Sequence, residues 1–260
     1  MLMVHRHMPA LALAAIATLL LAPAVTAEEK IPPAVAAAVA DPGRPEADRQ
    51  RDVGRKPAES IAFAGIKSGD RIAELLPGRG YYTRIFSKVV GPNGIVYAVS
   101  PPPRPDAPAG APNPSAAVSA IAEDPNYSNV RSLTGRVSEL KLPEPVDVVW
   151  TSLNYHDVHN APNADLKAFN TSVFNALKPG GTYIIIDHAA EKGSGAQHTS
   201  TLHRIDPELV KSEVLAVGFE LEAESDVLRN PDDPRTVPVR HPSVSGRTDQ
   251  FLLRFRKPAK

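Results

Sequence analysis

The stretch Glu74-Leu75-Leu76-Pro77-Gly78-Arg79-Gly80-Tyr81-Tyr82-Thr83-Arg84 ends an apolar run on an acid, follows it with two glycines at an interval of two, and opens a helix-like segment. Glycines let a backbone approach a ligand without a side chain between, and the first amides of a helix favour electron-rich groups. The turn therefore has the shape of a cofactor loop. Its spacing excludes two nucleotide chemistries. A dinucleotide fingerprint needs a third glycine where Thr83 stands, and no phosphate loop of the form G-x-x-x-x-G-K-[ST] occurs in the chain. Pro77 also withholds an amide hydrogen where a phosphate cradle needs one.

A second group is Asn154-Tyr155-His156-Asp157-Val158-His159, with Asp187-His188 further on. An imidazole paired with a carboxylate suits a general base, so His156 is the candidate base with Asp157 or Asp187 orienting it, and His188 beside them. The competing reading makes His156 and Asp157 caps of a strand and of the following helix. His159, one turn on, is expected to face solvent. His156, His159, Asp187 and His188 are also nitrogen and oxygen donors that could surround a divalent ion. His-x-x-His without cysteines or a helical His-Glu-x-x-His is a loose spacing, however, and no metal is assigned. Asp206-Pro207 reads as a helix start with Asp206 as its cap.

The elements that must position these groups follow from apolar runs and breakers. Residues 71–76, 94–99, 129–133, 146–151 and 182–187 read as strands, and helices are expected from Tyr81 to Gly91, from Asp165 to Leu177 before Lys178-Pro179-Gly180-Gly181, and over 206–217. Continuous apolar strands alternating with helices imply a parallel sheet covered on both faces, an α/β doubly wound fold. Two last strands, 219–224 and 250–255, suggest a closing hairpin. In such folds ligands sit beyond the carboxyl ends of the strands, where strand order reverses. Both clusters should therefore open into one crevice. Residues 101–114, half of them proline, form a stiff loop that reads either as a surface excursion or as a rim over that crevice.

Glu74 to Gly80 resembles the first motif of class I S-adenosylmethionine-dependent methyltransferases. RKPAE at 55–59, PGRGYYTR at 77–84, NYHD at 154–157, LKPGG at 177–181 and HRIDP at 203–207 together resemble a group of exported bacterial predicted methyltransferases, from about residue 45 onward. The resemblance implies a Rossmann-like seven-stranded sheet of order 3-2-1-4-5-7-6 with helices on both faces. It also implies S-adenosyl-L-methionine as cofactor, with Glu74, Gly78 and Gly80 at its methionine end and Pro77, Ser100 and Asn154 among the further contacts. Leu76 replaces the first glycine of the motif, Ser100 stands where many relatives have an acid for the ribose, and Arg136 lies near where an acid often meets the adenine. Methyl transfer to a small-molecule acceptor is the implied activity. A fold that has kept the crevice and binds another small molecule is the alternative, beside a metal-assisted enzyme using the His156 and Asp187 cluster.

Composition narrows the partners. Lysine plus arginine equal aspartate plus glutamate at 29 each, and there is no block of five like charges, so nothing points to nucleic acid. Arg6 followed by the apolar run Ala10 to Ala22, too short to span a bilayer, and by the small-x-small arrangement in Pro23-Ala24-Val25-Thr26-Ala27 reads as an export signal. The expected organisation is a signal peptide at 1–27, an N-terminal helical segment at 28–56 and a methyltransferase-like domain at 57–260, periplasmic or secreted and not held in a membrane once the signal is removed. The absence of cysteine excludes disulfides, thiolate metal sites and a cysteine nucleophile.

Overall fold

The computed structural model describes residues 30–103, 107–108 and 110–260. The expected signal peptide, 1–27, and part of the proline-rich loop lie outside the described residues. Helices are α1 (Pro33–Val39), α2 (Glu46–Arg49), α3 (Asp52–Arg55), α4 (Pro57–Ala64), α5 (Tyr81–Val90), α6 (Ala116–Glu123), α7 (Tyr155–His159), α8 (Leu166–Ala176) and α9 (Pro207–Leu215). Strands are β1 (Arg71–Leu75), β2 (Ile95–Ser100), β3 (Val130–Thr134), β4 (Val146–Ser152), β5 (Leu177–His188), β6 (Glu220–Ser225) and β7 (Gln250–Arg256). Among the described residues no helix is long and apolar enough to cross a membrane.

The seven strands form one sheet of order β3-β2-β1-β4-β5-β7-β6, parallel except where β7 pairs antiparallel with β5 and β6. Because side chains alternate across a strand, each central strand feeds two cores. Ile72, Val96, Val148, Trp150 and Ile184 face α1, α4, α5 and α6. Ala73, Tyr97, Val149, Tyr183 and Ile185 face α8 and α9. The doubly wound architecture is thus as expected, with buried residues along every inner strand. The edge strand β6 instead alternates exposed and half-buried positions.

Of the expected N-terminal segment, the described residues 30–56 are part of this body. Val35 and Ala38 of α1 are buried in the same core as α4 and α5. Arg44, 2 % exposed, makes a two-pronged bond to Asp52 at 2.8 and 2.7 Å, and Tyr81 at the start of α5 donates to the same carboxylate at 2.5 Å. Pro57 opens α4, where its missing N–H costs nothing.

One boundary differs from expectation. Lys178-Pro179-Gly180-Gly181 is not a turn before β5 but a bulge within it, the ladder passing from Val146↔Leu177 directly to Val148↔Thr182. Gly180 takes a φ of +76°, and the surplus backbone is tied off by Gly180 N–H to Lys257 O and Lys257 N–H to Gly181 O, both 2.9 Å. Asp165 caps α8 by accepting from Ala168 N–H at 2.8 Å, and Asp206 caps α9 by accepting from Glu208 N–H at 2.9 Å.

Candidate functional site

Strand order reverses between β1 and β4, and a cleft of about 850 Å³ opens there beyond the carboxyl ends of β1, β2 and β4. Glu74, Pro77 and Gly78 from the β1 turn, Ser100 from β2, and Asn154 and Asp157 after β4 all line it. Pro101 and Pro112 to Pro114 form one wall, so the proline-rich loop is a rim. Arg51 and Arg55 form another. Composition alone gave no reason to place those arginines here, because their position depends on how the N-terminal segment docks on α5. The Arg55 guanidinium lies 4.6 Å from the centre of the Tyr81 ring, which holds it over the cleft mouth.

Glu74 is 4 % exposed and accepts from Thr83 Oγ1 at 2.5 Å. Burial pushes its carboxyl up to about 8, against the pull of the Thr83 hydroxyl and of Arg55 and Arg84. The residue that breaks the dinucleotide fingerprint is therefore the partner of the acid. Leu76 shows why the replaced glycine matters. Its φ is +54°, its N–H bonds Val99 O at 2.9 Å, and its carbonyl accepts from Asn154 Nδ2 at 3.1 Å. The turn has kept the left-handed backbone of a glycine while carrying a leucine, at a cost of roughly 1–2 kcal/mol. Leu76→Gly is accordingly expected to leave the unfolding free energy within about 1 kcal/mol of the parent, since relieved strain offsets the glycine's chain entropy. The adjacent Leu75, 1 % exposed, should lose about 2–5 kcal/mol on truncation to alanine. Urea unfolding of the two variants reads the contrast, and equal losses would contradict it.

Gly78, at φ +58°, has open space where a Cβ would lie. Gly80, expected as a cofactor contact, does other work. Its φ is +77° and a Cβ there would overlap Ile121 of α6, so it lets α5 start and α6 pack close, outside the cleft lining. Ser100 is 1 % exposed and its Oγ has no hydrogen-bond partner among the described residues although it borders the cleft. Arg136 is absent from the cleft; it precedes a short turn at 137–139 and borders a separate, smaller cavity.

Beside the Asp157 wall lies the histidine cluster. Asp187 is fully buried; its Oδ1 meets His156 Nδ1 at 2.8 Å and its Oδ2 accepts the His156 backbone N–H at 2.8 Å. His156 is 2 % exposed. Burial draws the imidazole pKa down, but the Asp187 charge and hydrogen bond, with Asp157, outweigh it and leave the pKa above its ordinary value. The ring's other nitrogen, Nε2, faces His203 Nδ1 at 3.3 Å and Asp157 Oδ1 at 3.3 Å. His203 had no role in the sequence beyond its HRIDP motif, and the only hint of special geometry is visible in the backbone, a φ of +54°.

Three expectations need correction. His188 does not join the catalytic group: its Nδ1 is 2.7 Å from Thr248 Oγ1, and burial lowers its pKa to about 4, which keeps it neutral. Asp157 does not cap α7. It sits within the helix, with Asn154 at the cap position. His159 does not face solvent but bonds Glu213 at 3.2 Å, where Tyr155 also donates at 2.9 Å. The four-donor metal set His156, His159, Asp187 and His188 is thereby dispersed, while His156 and Asp187 do meet as expected.

No family model matches the chain, and no curated protein matches it in sequence. Solved structures do. An S-adenosylmethionine-dependent methyltransferase from Aquifex aeolicus superposes with a TM-score of 0.57 at 18% identity, over 82% of this chain and 95% of that one. The glycopeptide N-methyltransferase MtfA complexed with (S)-adenosyl-L-methionine gives 0.52 at 17% identity, over 77% and 86%. An arsenic(III) S-adenosylmethionine methyltransferase from Chlamydomonas reinhardtii gives 0.53 at 18% identity, over 87% and 74%. In strand order, crossover pattern and overall superposition, the chain has the Rossmann-like fold of the class I methyltransferases.

Proposed function

We propose that the protein binds S-adenosyl-L-methionine in the cleft at the β1 and β4 switch point and catalyses methyl transfer to a small-molecule acceptor, after export through the signal at 1–27. The observation that carries the reading is the Ser100 hydroxyl, buried at the end of β2, bordering the cleft and lacking any hydrogen-bond partner among the described residues. A buried polar atom without a partner costs about 1–3 kcal/mol, and a ribose hydroxyl is the kind of group that would remove that cost. The other linings fit the same ligand. Glu74 offers a carboxyl for a cationic amine, Gly78 leaves room for close backbone approach, and Asn154 steadies the turn through Leu76 O.

The cofactor, when bound, supplies an electrophilic methyl group. This chain's residues do the rest. The rims from Arg51, Arg55 and the proline-rich loop narrow access of water to the cleft. Asp187 fixes the His156 ring so that Nε2 is the nitrogen presented beside Asp157, at the side of the cleft where an acceptor would enter.

Calorimetry with S-adenosylmethionine and S-adenosylhomocysteine tests the reading. Micromolar binding is expected, weakened about fivefold in Ser100→Ala, the loss of one neutral hydrogen bond at about 1 kcal/mol. No heat with either compound would remove the methyl-transfer reading and leave a crevice for some other small molecule.

A further inference from the structure

We infer that His156 Nε2, His203 Nδ1 and Asp157 Oδ1 form a binding site for one divalent transition cation of the zinc type. The three atoms are separated by 3.3 Å (His156 to His203), 3.3 Å (His156 to Asp157) and 3.7 Å (His203 to Asp157), and they are the group of potential ligands that converges among the described residues. Two donors each about 2.0–2.1 Å from a tetrahedral ion lie roughly 3.3 Å apart. The observed triangle therefore has the size of a coordination face.

A proton satisfies the triangle only in part. Asp187 takes the His156 Nδ1–H, so in the neutral ring the Nε2 lone pair can accept from His203 Nδ1–H at 3.3 Å. The same lone pair still faces Asp157 Oδ1, another acceptor, at 3.3 Å. A cation between the three atoms would relieve that opposition.

The surroundings are those of a ligating histidine. Asp187 holds the ring through Nδ1–H, and a buried carboxylate behind an imidazole both orients the ring and makes its far nitrogen a stronger donor. The same carboxylate pins the backbone of His156, so the ring is fixed from two directions. His203 is set by its left-handed backbone and by the fully buried Arg204 that follows it. The side chains of His203 and Asp157 are 40% and 50% exposed, which leaves an entry path. Two imidazoles and one carboxylate exclude magnesium and calcium, which take oxygen ligands, and favour zinc, with cobalt, manganese and ferrous iron as alternates. Three protein ligands leave at least one position open, the pattern of a reactive rather than a purely structural site. Asp157 also lines the cleft, so the ion would hold a lone pair of the acceptor at its edge. That use rests on the methyl-transfer reading, whereas the ion itself does not.

The test uses the untagged protein, stripped with chelator and titrated with Zn²⁺ by calorimetry and with Co²⁺ by visible absorption. One ion per chain is expected, with Co²⁺ giving the intense bands of a four-coordinate site. His203→Asn, which tolerates the positive φ, and Asp157→Ala, at a half-exposed position, should each weaken Zn²⁺ binding at least a hundredfold. Asp187→Asn should weaken it about 10- to 100-fold, and His241→Ala, at an exposed histidine, should change nothing. Absence of stoichiometric Zn²⁺ or Co²⁺ binding, or retention of full affinity in both His203→Asn and Asp157→Ala, overturns the site. S-adenosylhomocysteine titrated into the stripped protein separates the two proposals: binding there without any metal site sinks the ion alone, and a metal site without nucleoside binding sinks the methyl-transfer reading alone.

Discussion

Asp233→Ala is expected to lower the unfolding free energy by about 3–5 kcal/mol, read as a fall in the urea midpoint. Asp233 and Arg204 are a salt bridge whose two side chains have no exposed surface, joined at 2.8 and 3.1 Å. Arg204 also donates to Ala189 O and Val237 O, both at 3.1 Å, and Asp233 accepts from the backbone N–H of Arg235 at 2.9 Å and of Asp249 at 2.6 Å. Removing the carboxylate leaves a guanidinium buried without its counter-charge and two amides without an acceptor. Replacing both partners by apolar residues, as in Arg204→Met with Asp233→Leu, is expected to recover only part of the loss: no charge remains to desolvate, but the amides of Arg235 and Asp249 and the carbonyls of Ala189 and Val237 still lose their partner. The pair does more than stabilise. It anchors the long β6–β7 connection to the segment that carries His203, so the single variant should also lose Zn²⁺ binding below the temperature at which it unfolds. A change in stability under 1 kcal/mol on removing Asp233 would show that the pair is dispensable.

The second large effect is the pH dependence set by Glu74. In the folded chain its carboxyl keeps the proton up to about pH 8, whereas its ordinary value is 4.5. Between those limits the folded state binds more protons than the unfolded state, so stability falls as pH rises through the window and levels off above it. His188 acts in the opposite sense. Its folded pKa of about 4 lies below its ordinary 6.5, so stability is lost as pH falls from 6.5 toward 4. The two slopes oppose each other from about 4.5 to 6.5, and the Glu74 slope stands alone from 6.5 to 8. Glu74→Gln is therefore expected to remove a decline on the order of 1–2 kcal/mol between pH 6.5 and 8, measured by urea unfolding across that range. An ammonium group placed against Glu74 would draw its proton off. Binding of S-adenosylhomocysteine at pH 7 is then expected to release a proton, so that the calorimetric heat varies with the ionisation enthalpy of the buffer in the parent but not in Glu74→Gln. A parent heat independent of buffer would place the ligand's amine elsewhere.

The fold was legible because its signals are local or carried by motif. Runs such as Val146 to Thr151 declare buried strands by composition, and Gly91-Pro92-Asn93 and Asp206-Pro207 mark element ends by backbone chemistry. The bulge at Lys178 to Gly181 was not legible, because Pro-Gly-Gly reads as a turn until the ladder on either side of it is known. In the site, Glu74, Ser100 and Asn154 were named through the family resemblance, and all three line the cleft at the strand ends. His203, Arg51 and Arg55 could not be placed there. Their contacts with the site run between segments far apart in the chain, and what brings them together is the Arg204 to Asp233 pair for one and the Arg44, Asp52 and Tyr81 contacts for the others. His188 was assigned a role for standing next to Asp187, and its ring does lie 6.1 Å from that of His156, but its own hydrogen bond goes to Thr248 whereas Asp187 bonds His156.

β7 follows β6 in the chain but lies between β5 and β6 in the sheet. A nascent polypeptide that has reached only Ser225 therefore has a β6 with nothing to pair against and a bare ladder along β5. Only when the last strand emerges can both be closed, so this topology delays completion of the native state until synthesis is nearly over.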